Sequence, residues 1–135
     1  MKGRRDFLKN SMVIAGAVVL GSAGGLHAAT EFPAGLIYTQ QTPQRWAGKE
    51  GAHVPKVTVE GGIVKMVTPH PMNAEHYIVK HTIVTPEGKV LGDKTFANTD
   101  PVAESSYTLP EGFKGMLRAT SFCNIHDLWL VEFTV

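Results

Sequence analysis

The stretch FCNIHDLWL, residues 122 to 130, contains the only cysteine of the chain, and a histidine follows it three places later. In a tight turn, this Cys-x-x-His spacing presents the Cys123 thiolate and the His126 imidazole to one ion. Soft sulfur combined with imidazole nitrogen favours iron, copper or zinc. A single cysteine cannot form an internal disulfide, so Cys123 is predicted to be a free thiol, an intermolecular bridge or a metal ligand.

A second pair of histidines lies in HPMNAEH, residues 70 to 76. On a straight strand, His70 and His76 would be about 20 Å apart, too far to share a metal. Pro71 prevents a regular strand and Asn73 favours a turn or a cap, so the chain is expected to fold back and bring both rings together. The histidines that remain outside the N-terminal segment are His53 and His81.

The runs that must position these residues have the composition of β-strands: they are short, rich in β-branched residues and separated by Gly, Pro, Asn and Asp. TPEGKV has turn chemistry between two strand-like runs. No stretch has a convincing helical period. These patterns predict an all-β protein, an immunoglobulin-like β-sandwich of about seven strands. The clearest runs are VPKVTV (54–59), IVKMV (63–67), YIVKHTIVT (77–85), SSYTL (105–109), MLRATSF (116–122) and LWLVEFTV (128–135).

Residues 1–29 have the pattern of an export signal, with a basic start, about fifteen apolar residues and small residues at the end. RRDFLK resembles the twin-arginine motif, which implies the twin-arginine translocase as a partner during export. The apolar run is shorter than the roughly 20 residues of a membrane-spanning helix, which disfavours an uncleaved membrane anchor. We therefore expect a signal peptide at 1–29, a folded domain at 30–135 and a periplasmic location.

Removal of residues 1–29 leaves nine basic and eleven acidic side chains. A net charge of about −2 provides no basic surface of the kind that binds nucleic acid, so nucleic acid is excluded as a partner. Residues 30–52 are polar and turn-rich. They are expected to wrap the surface of the sandwich or to reach a neighbouring subunit.

Three motifs together resemble one known family. AHVPKV, PHPMNAEHYI and CNIHDLW, in this order within a β-rich domain, are similar to the iron-binding domain of the superoxide reductases, also called desulfoferrodoxins or neelaredoxins. The resemblance covers most of residues 48–135. It implies one mononuclear non-haem iron per chain, with four histidines in a plane and a cysteine thiolate beneath. His81 has no place in this scheme and is predicted to be a strand residue. The implied ligands are His53, His70, His76, His126 and, in the axial position, Cys123.

The resemblance implies the one-electron reduction of superoxide to hydrogen peroxide, without release of oxygen. Four imidazoles and a thiolate exceed the four ligands of a tetrahedral zinc site, whereas a five-coordinate iron keeps a sixth position open for a small anion. The four-cysteine iron module of some members needs more than the one cysteine present here. A separate periplasmic electron donor, rubredoxin-like or a cytochrome, is therefore expected. A homo-oligomer is also expected, because related one-iron proteins are often tetramers.

The segment before the first histidine departs from the family pattern. Many members have EKHVP, in which the lysine attracts superoxide and the glutamate occupies the sixth site of the oxidised iron. In KEGAHVP, Gly51 and Ala52 occupy those two positions. One hypothesis is that Lys49 and Glu50 reach back through the flexible glycine and take over the two catalytic roles. The alternative is that both are solvated surface charges.

A second departure lies in the C-terminal motif, where Asp127 replaces the glycine of CNLHGLW. This carboxylate is expected to orient the imidazole of His126 or, as the simpler alternative, to face water.

Two other functions compete with the reductase. A cupredoxin, an exported electron carrier, would bind copper through His76, Cys123 and His126, but its usual axial methionine is missing after the loop. An immunoglobulin-like binding module would use Cys123 as a covalent handle for a sulfur compound. Metal analysis separates the three, because the reductase requires iron, the cupredoxin copper and the module no metal.

Overall fold

The structure is a computed structural model that describes residues 31–135. The predicted signal peptide, residues 1–29, lies outside the described residues, and its boundary with the folded domain stays a prediction. Among the residues that are described, no helix is both long enough and apolar enough to cross a membrane.

Residues 31–135 contain eight strands in two sheets. The larger sheet has the order β1-β8-β7-β4-β5 and the smaller one the order β2-β3-β6. The predicted all-β sandwich is confirmed, with one strand more than the expected seven. The strands are β1 (Ile37–Tyr38), β2 (Lys56–Glu60), β3 (Ile63–Thr68), β4 (Ile78–Val84), β5 (Val90–Thr95), β6 (Ala103–Thr108), β7 (Met116–Cys123) and β8 (Asp127–Thr134).

Strand β7 shows how the sequence pattern produces the sandwich. Every second side chain is buried, beginning with Leu117 and ending with Cys123, and those between them are at least partly exposed. Leu117 packs in one apolar cluster with Met66 of β3 and Ile83 of β4. Complete burial of a side chain of this size contributes about 1.5–3 kcal/mol, so this cluster holds the two sheets face to face.

Strand β4 contains an irregularity that matters for the site. Its pairing with β7 shifts register between Ile78 and Lys80, which adds one residue to β4. An extra residue reverses the alternation of side chains beyond it. As a result Ile78 and His81, three positions apart, are both fully buried between the sheets.

Part of the segment 30–52 forms regular secondary structure, which was not expected from its sequence. Strand β1 pairs in parallel with β8, and Tyr38 is completely buried. A 3₁₀ turn (Gln44–Trp46) and a short α-helix, α1 (Glu50–His53), follow. The expectation that this segment wraps the surface is therefore wrong for β1. The two helical turns are too short to show a helical period in the sequence.

Replacement of Gly92 by alanine is expected to destabilise the protein by about 1–3 kcal/mol, the usual cost of overpacking. A β-carbon at Gly92 in β5 would overlap the ring of Tyr107 in β6, at the place where the two sheets approach each other. Urea unfolding of the metal-free protein measures the change. Gly51→Ala is the matched control, because a β-carbon at Gly51 meets no atom within 4 Å. Equal stability of the two variants would contradict the prediction.

Candidate metal centre

Helix α1 positions the first histidine. Its last residue, His53, is buried, and Nδ1 donates a hydrogen bond to the carbonyl oxygen of Lys49, 2.8 Å away. The other ring nitrogen, Nε2, is buried and has no hydrogen-bond partner. A buried polar atom without a partner is costly, so this lone pair requires a ligand. The indole of Trp129 stacks on the ring at a centroid distance of 5.5 Å and fixes its plane.

The loop after β3 positions the next two histidines. The side-chain oxygen of Asn73 accepts a hydrogen bond from the backbone N–H of His76 at 2.9 Å, which closes a tight turn. The predicted fold-back is confirmed, because the Nε2 atoms of His70 and His76 lie 3.0 Å apart. Nδ1 of His70 donates to the carbonyl oxygen of Pro71, which leaves Nε2 of His70 free to act as a ligand.

The hairpin between β7 and β8 supplies the remaining two residues. Cys123, fully buried, is the last residue of β7, and its Sγ accepts a hydrogen bond from the backbone N–H of His126 at 3.3 Å. Sγ lies 3.2 Å from Nε2 of His76 and 3.7 Å from Nδ1 of His126. The Cys-x-x-His turn therefore presents sulfur and nitrogen to the same point.

Each of the four imidazoles neighbours two of the others, so the rings form a closed four-membered arrangement, called the imidazole square below. Centroid distances along its sides are 4.7 Å from His53 to His70, 4.3 Å from His70 to His76, 4.8 Å from His76 to His126 and 4.8 Å from His126 to His53. The diagonal from His53 to His76 is 6.2 Å. Sγ of Cys123 lies 3.2 to 3.9 Å from three of the ring nitrogens.

These distances fit one metal ion. Two metal–imidazole bonds of about 2.1 Å at right angles put their nitrogens about 3.0 Å apart. Nε2 of His76 lies 3.0 Å from the ligand nitrogens of both neighbouring histidines, His70 and His126. All five candidate ligand atoms lie within 4.8 Å of one another. The structure thus brings together every residue that the sequence singled out as a ligand.

The protonation states also suit a metal. Burial lowers the pKa of His53 to about 4 and lowers the pKa values of His70 and His126 as well, and the neighbouring imidazoles act in the same direction. These rings are therefore neutral at pH 7. Burial raises the pKa of the Cys123 thiol, so the free protein holds the thiol proton and metal binding must release it.

Comparison with known proteins identifies the family. The family model described as desulfoferrodoxin matches residues 45–132, which is more than half of the chain. The chain belongs to the desulfoferrodoxin family. A curated relative from Thermococcus kodakarensis, named superoxide reductase, is 33% identical over 104 residues, which cover 67% of this chain and 90% of the relative.

Two solved structures of desulfoferrodoxin relatives support the same assignment. The superoxide reductase (neelaredoxin) from Ignicoccus hospitalis has a TM-score of 0.63 at 26% identity, over 78% of this chain and 98% of that one. The reduced form of a superoxide reductase (neelaredoxin) variant from Archaeoglobus fulgidus has a TM-score of 0.56 at 34% identity, over 64% of this chain and 90% of that one.

The two candidate catalytic residues of this desulfoferrodoxin lie beside the cluster and not in it. Lys49 is exposed, and its positive charge adds to the effects of burial and of His76 in lowering the pKa of His126. The carboxylate of Glu50 accepts a hydrogen bond from the backbone N–H of Gly48. Within residues 31–135, Glu50 is not among the residues grouped around the five ligand atoms.

Asp127 does not simply face water, and its link to His126 runs through Trp46. Its Oδ2 accepts hydrogen bonds from Nη2 of Arg45 at 2.6 Å and from Nε1 of Trp46 at 3.0 Å. Although partial burial opposes the change, hydrogen bonds from Trp46 and Arg45 lower the pKa of Asp127. The indole of Trp46 in turn meets the ring of His126 edge-on at 4.6 Å.

Asp127 thus ties the 3₁₀ turn (Gln44–Trp46) to the hairpin beside His126. Its backbone adopts φ 69°, a left-handed conformation that closes the hairpin and that aspartate tolerates better than most residues. Sequence reasoning missed the contacts because Asp127 is separated from Arg45 by 82 residues and from Trp46 by 81. The one feature of the sequence that drew attention to this position was the replacement of the family glycine by the carboxylate of Asp127.

Proposed function

We propose that this protein is a superoxide reductase, which converts superoxide to hydrogen peroxide with one electron and two protons. The observation that carries the proposal is the square of four imidazoles with the Cys123 sulfur 3.2 to 3.9 Å from three of their ring nitrogens. Its relatives in the family are named superoxide reductases. His53, His70, His76, His126 and Cys123 would hold one mononuclear iron ion, which would supply the electron for the reduction of superoxide.

The chain's own residues determine which side of the site is open. Cys123 is fully buried, so its sulfur lies on the interior side of the imidazole square. Substrate therefore approaches from the opposite side, toward solvent. The edge of Trp46 against His126 and the stacking of Trp129 on His53 keep two of the rings in fixed planes. Fixed rings lower the cost of reorganising the site when its charge changes.

The cupredoxin alternative accounts for less of this arrangement. A copper site built from His76, Cys123 and His126 would leave His53 and His70 unexplained, although both rings are buried next to the other two. The unpartnered Nε2 of His53 in particular is satisfied by a five-ligand site and not by that three-ligand site.

Pulsed superoxide tests the proposed function. A superoxide reductase purified with iron is expected to contain about one iron per chain and to produce one hydrogen peroxide per superoxide without releasing oxygen. The iron is expected to be oxidised in the process, so turnover stops unless a reductant is supplied. Release of oxygen in an amount equal to the hydrogen peroxide, each at half of the superoxide consumed, would indicate dismutation, and copper in place of iron would indicate the cupredoxin.

Replacement of Lys49 by alanine is expected to slow the second-order reaction with superoxide about tenfold at low ionic strength, because a nearby cation raises the encounter rate of an anion. The difference is expected to shrink with added salt, which screens exposed charges. Lys114→Ala is the matched control, since this exposed lysine precedes β7 at the end of that strand remote from Cys123. Equal rates for Lys49→Ala and Lys114→Ala would reject the role of Lys49.

Glu50 would need to leave the N–H of Gly48 before its carboxylate could reach the site.

Export and the electron supply complete the proposal. The basic start, RRDFLK and the apolar run within residues 1–29 support transport by the twin-arginine translocase to the periplasm. Each superoxide reduced consumes one electron, so a separate periplasmic donor, rubredoxin-like or a cytochrome, must restore the site. Assembly into a homo-oligomer is carried over from the family resemblance.

A further inference from the structure

Four buried polar side chains lie between the sheets and take no part in the proposed reaction. They come from four different strands, and each is at most 4% exposed. Buried polar groups are costly unless they are hydrogen-bonded, so such a cluster in a small core requires an explanation. The four residues, called the core network below, are Thr68 (β3), His81 (β4), Ser105 (β6) and Ser121 (β7).

The hydrogen bonds of the core network form one continuous chain. Nδ1 of His81 lies 2.7 Å from Oγ of Ser105, and Nε2 lies 2.7 Å from Oγ1 of Thr68. Oγ1 of Thr68 lies a further 2.8 Å from Oγ of Ser121. Burial lowers the pKa of His81 to about 4, so the ring is neutral and has one donor and one acceptor nitrogen. Because a hydroxyl both donates and accepts, all three bonds are satisfied at once.

The core network joins the two sheets at the level of the metal centre. Thr68 and Ser105 belong to the three-stranded sheet, and His81 and Ser121 belong to the five-stranded sheet. The ring of Phe96 packs against the edge of His81 at 4.9 Å and belongs to the same apolar cluster as Cys123. The core network therefore lies on the interior side of the centre, toward the sulfur.

Two members of the core network are directly connected to ligand residues through the backbone. Thr68 ends β3 two residues before His70, and its carbonyl oxygen accepts the backbone N–H of His70 at 2.8 Å. Ser121 lies two residues before Cys123 on the same buried face of β7. The bond between Thr68 and Ser121 thus ties together the strands that carry a nitrogen ligand and the sulfur ligand.

We propose that the core network is a positioning device, which sets the distance between β3 and β7 and thereby the placement of His70 relative to Cys123. This inference rests on the proposed function. Apolar contacts are non-directional and permit small shifts of one sheet over the other, whereas hydrogen bonds prefer narrow ranges of distance and angle. Displacements of a few tenths of an ångström matter little for a core but are comparable with the tolerance of a metal–ligand bond.

Stability alone would not favour such a network. Replacement of both partners of a buried hydrogen bond by apolar groups of the same shape is often neutral or stabilising. An entirely apolar version of the core network would therefore fold, and would lose the directional bonds. Weaker iron binding by a variant that is as stable as the unmodified protein would therefore indicate a positioning role, whereas a merely structural role would leave iron binding unchanged.

The first test compares Ser121→Ala with Ser106→Ala, a control at the next position after Ser105 on β6 with an exposed side chain. The measurements are the dissociation constant of iron by competition with a chelator, the energy of the visible thiolate-to-iron band, and the thermal midpoint of the metal-free protein. Ser121→Ala is expected to weaken iron binding about tenfold, the lower end of effects from partners behind metal ligands, and to shift the band. Ser106→Ala is expected to match the unmodified protein.

The second test replaces the whole core network with Thr68→Val, His81→Leu, Ser105→Ala and Ser121→Ala. This variant is expected to approach the thermal midpoint of the unmodified metal-free protein and still to bind iron about tenfold more weakly. A fourfold variant with both the thermal midpoint and the iron affinity of the unmodified protein would show an ordinary core and overturn the inference. Equal iron affinity and band energy in Ser121→Ala and Ser106→Ala would also overturn it. If the fourfold variant does not fold, the pair of single variants decides. Failure of the unmodified protein to bind iron would overturn the proposed function and the inference together.

Discussion

Replacement of His76 by alanine is expected to weaken iron binding by a factor of about a hundred or more, beyond the usual effect of changing a partner behind a ligand. Nε2 of His76 lies 3.0 Å from two other candidate ligand nitrogens and 3.2 Å from Sγ of Cys123. Loss of this ring removes one corner of the square and opens the site to water. Iron content after dialysis against a chelator measures the effect.

Glu75→Ala is the matched control for His76→Ala. Glu75 precedes His76 in the same turn, and its side chain is exposed. The control is expected to retain one iron per chain, and both metal-free variants are expected to remain folded. A His76→Ala protein that keeps its iron as tightly as the control would show that His76 is not a ligand.

Replacement of Cys123 by serine is expected to abolish the visible band of the oxidised iron protein and to slow the reaction with superoxide about a hundredfold or more. Each 1.36 kcal/mol added to a barrier slows the reaction tenfold, so this corresponds to about 2.7 kcal/mol or more. Serine is slightly smaller than cysteine and retains an acceptor for the backbone N–H of His126, so the buried turn is expected to keep its conformation. The change therefore replaces sulfur by oxygen with little else altered.

The spectrum and the metal content distinguish the possible results for Cys123→Ser. Four imidazoles are expected to hold the iron more weakly than the complete site does, so the variant must be measured with iron in excess. The thermal midpoint of the metal-free variant verifies that it is folded. A band of unchanged energy and intensity would show that the Cys123 sulfur is not bound to the iron.

The candidate ligands could be identified from the sequence because three short motifs contain them. In two of the three, local chemistry also predicts the conformation: Asn73 closes the turn that joins His70 to His76, and a hairpin turn joins Cys123 to His126. Such contacts span few residues, so the residues themselves determine them. The strand runs were predictable for a similar reason, since a side-chain period of two is a local property.

Features with long sequence separations could not be predicted in the same way. Asp127 has an ordinary hairpin context, and nothing near it in the sequence points to Arg45 or Trp46. His81 was expected to be a strand residue, which it is, but the sequence alone does not show the register shift after Ile78 that turns its ring inward. Strand β1 has two residues, too few for any pattern, and depends on β8 for its hydrogen bonds.

The sequence by itself determined the kinds of atoms available to a metal, the strand pattern and the local turns that hold pairs of ligands. The tertiary structure alone decided that the two ligand pairs and His53 meet at one point, as a square of imidazoles with the sulfur on its interior side. The physical reason is that local conformation is encoded by neighbouring residues. The placement of β3 relative to β7, by contrast, depends on contacts between side chains that are far apart in the chain and belong to different sheets.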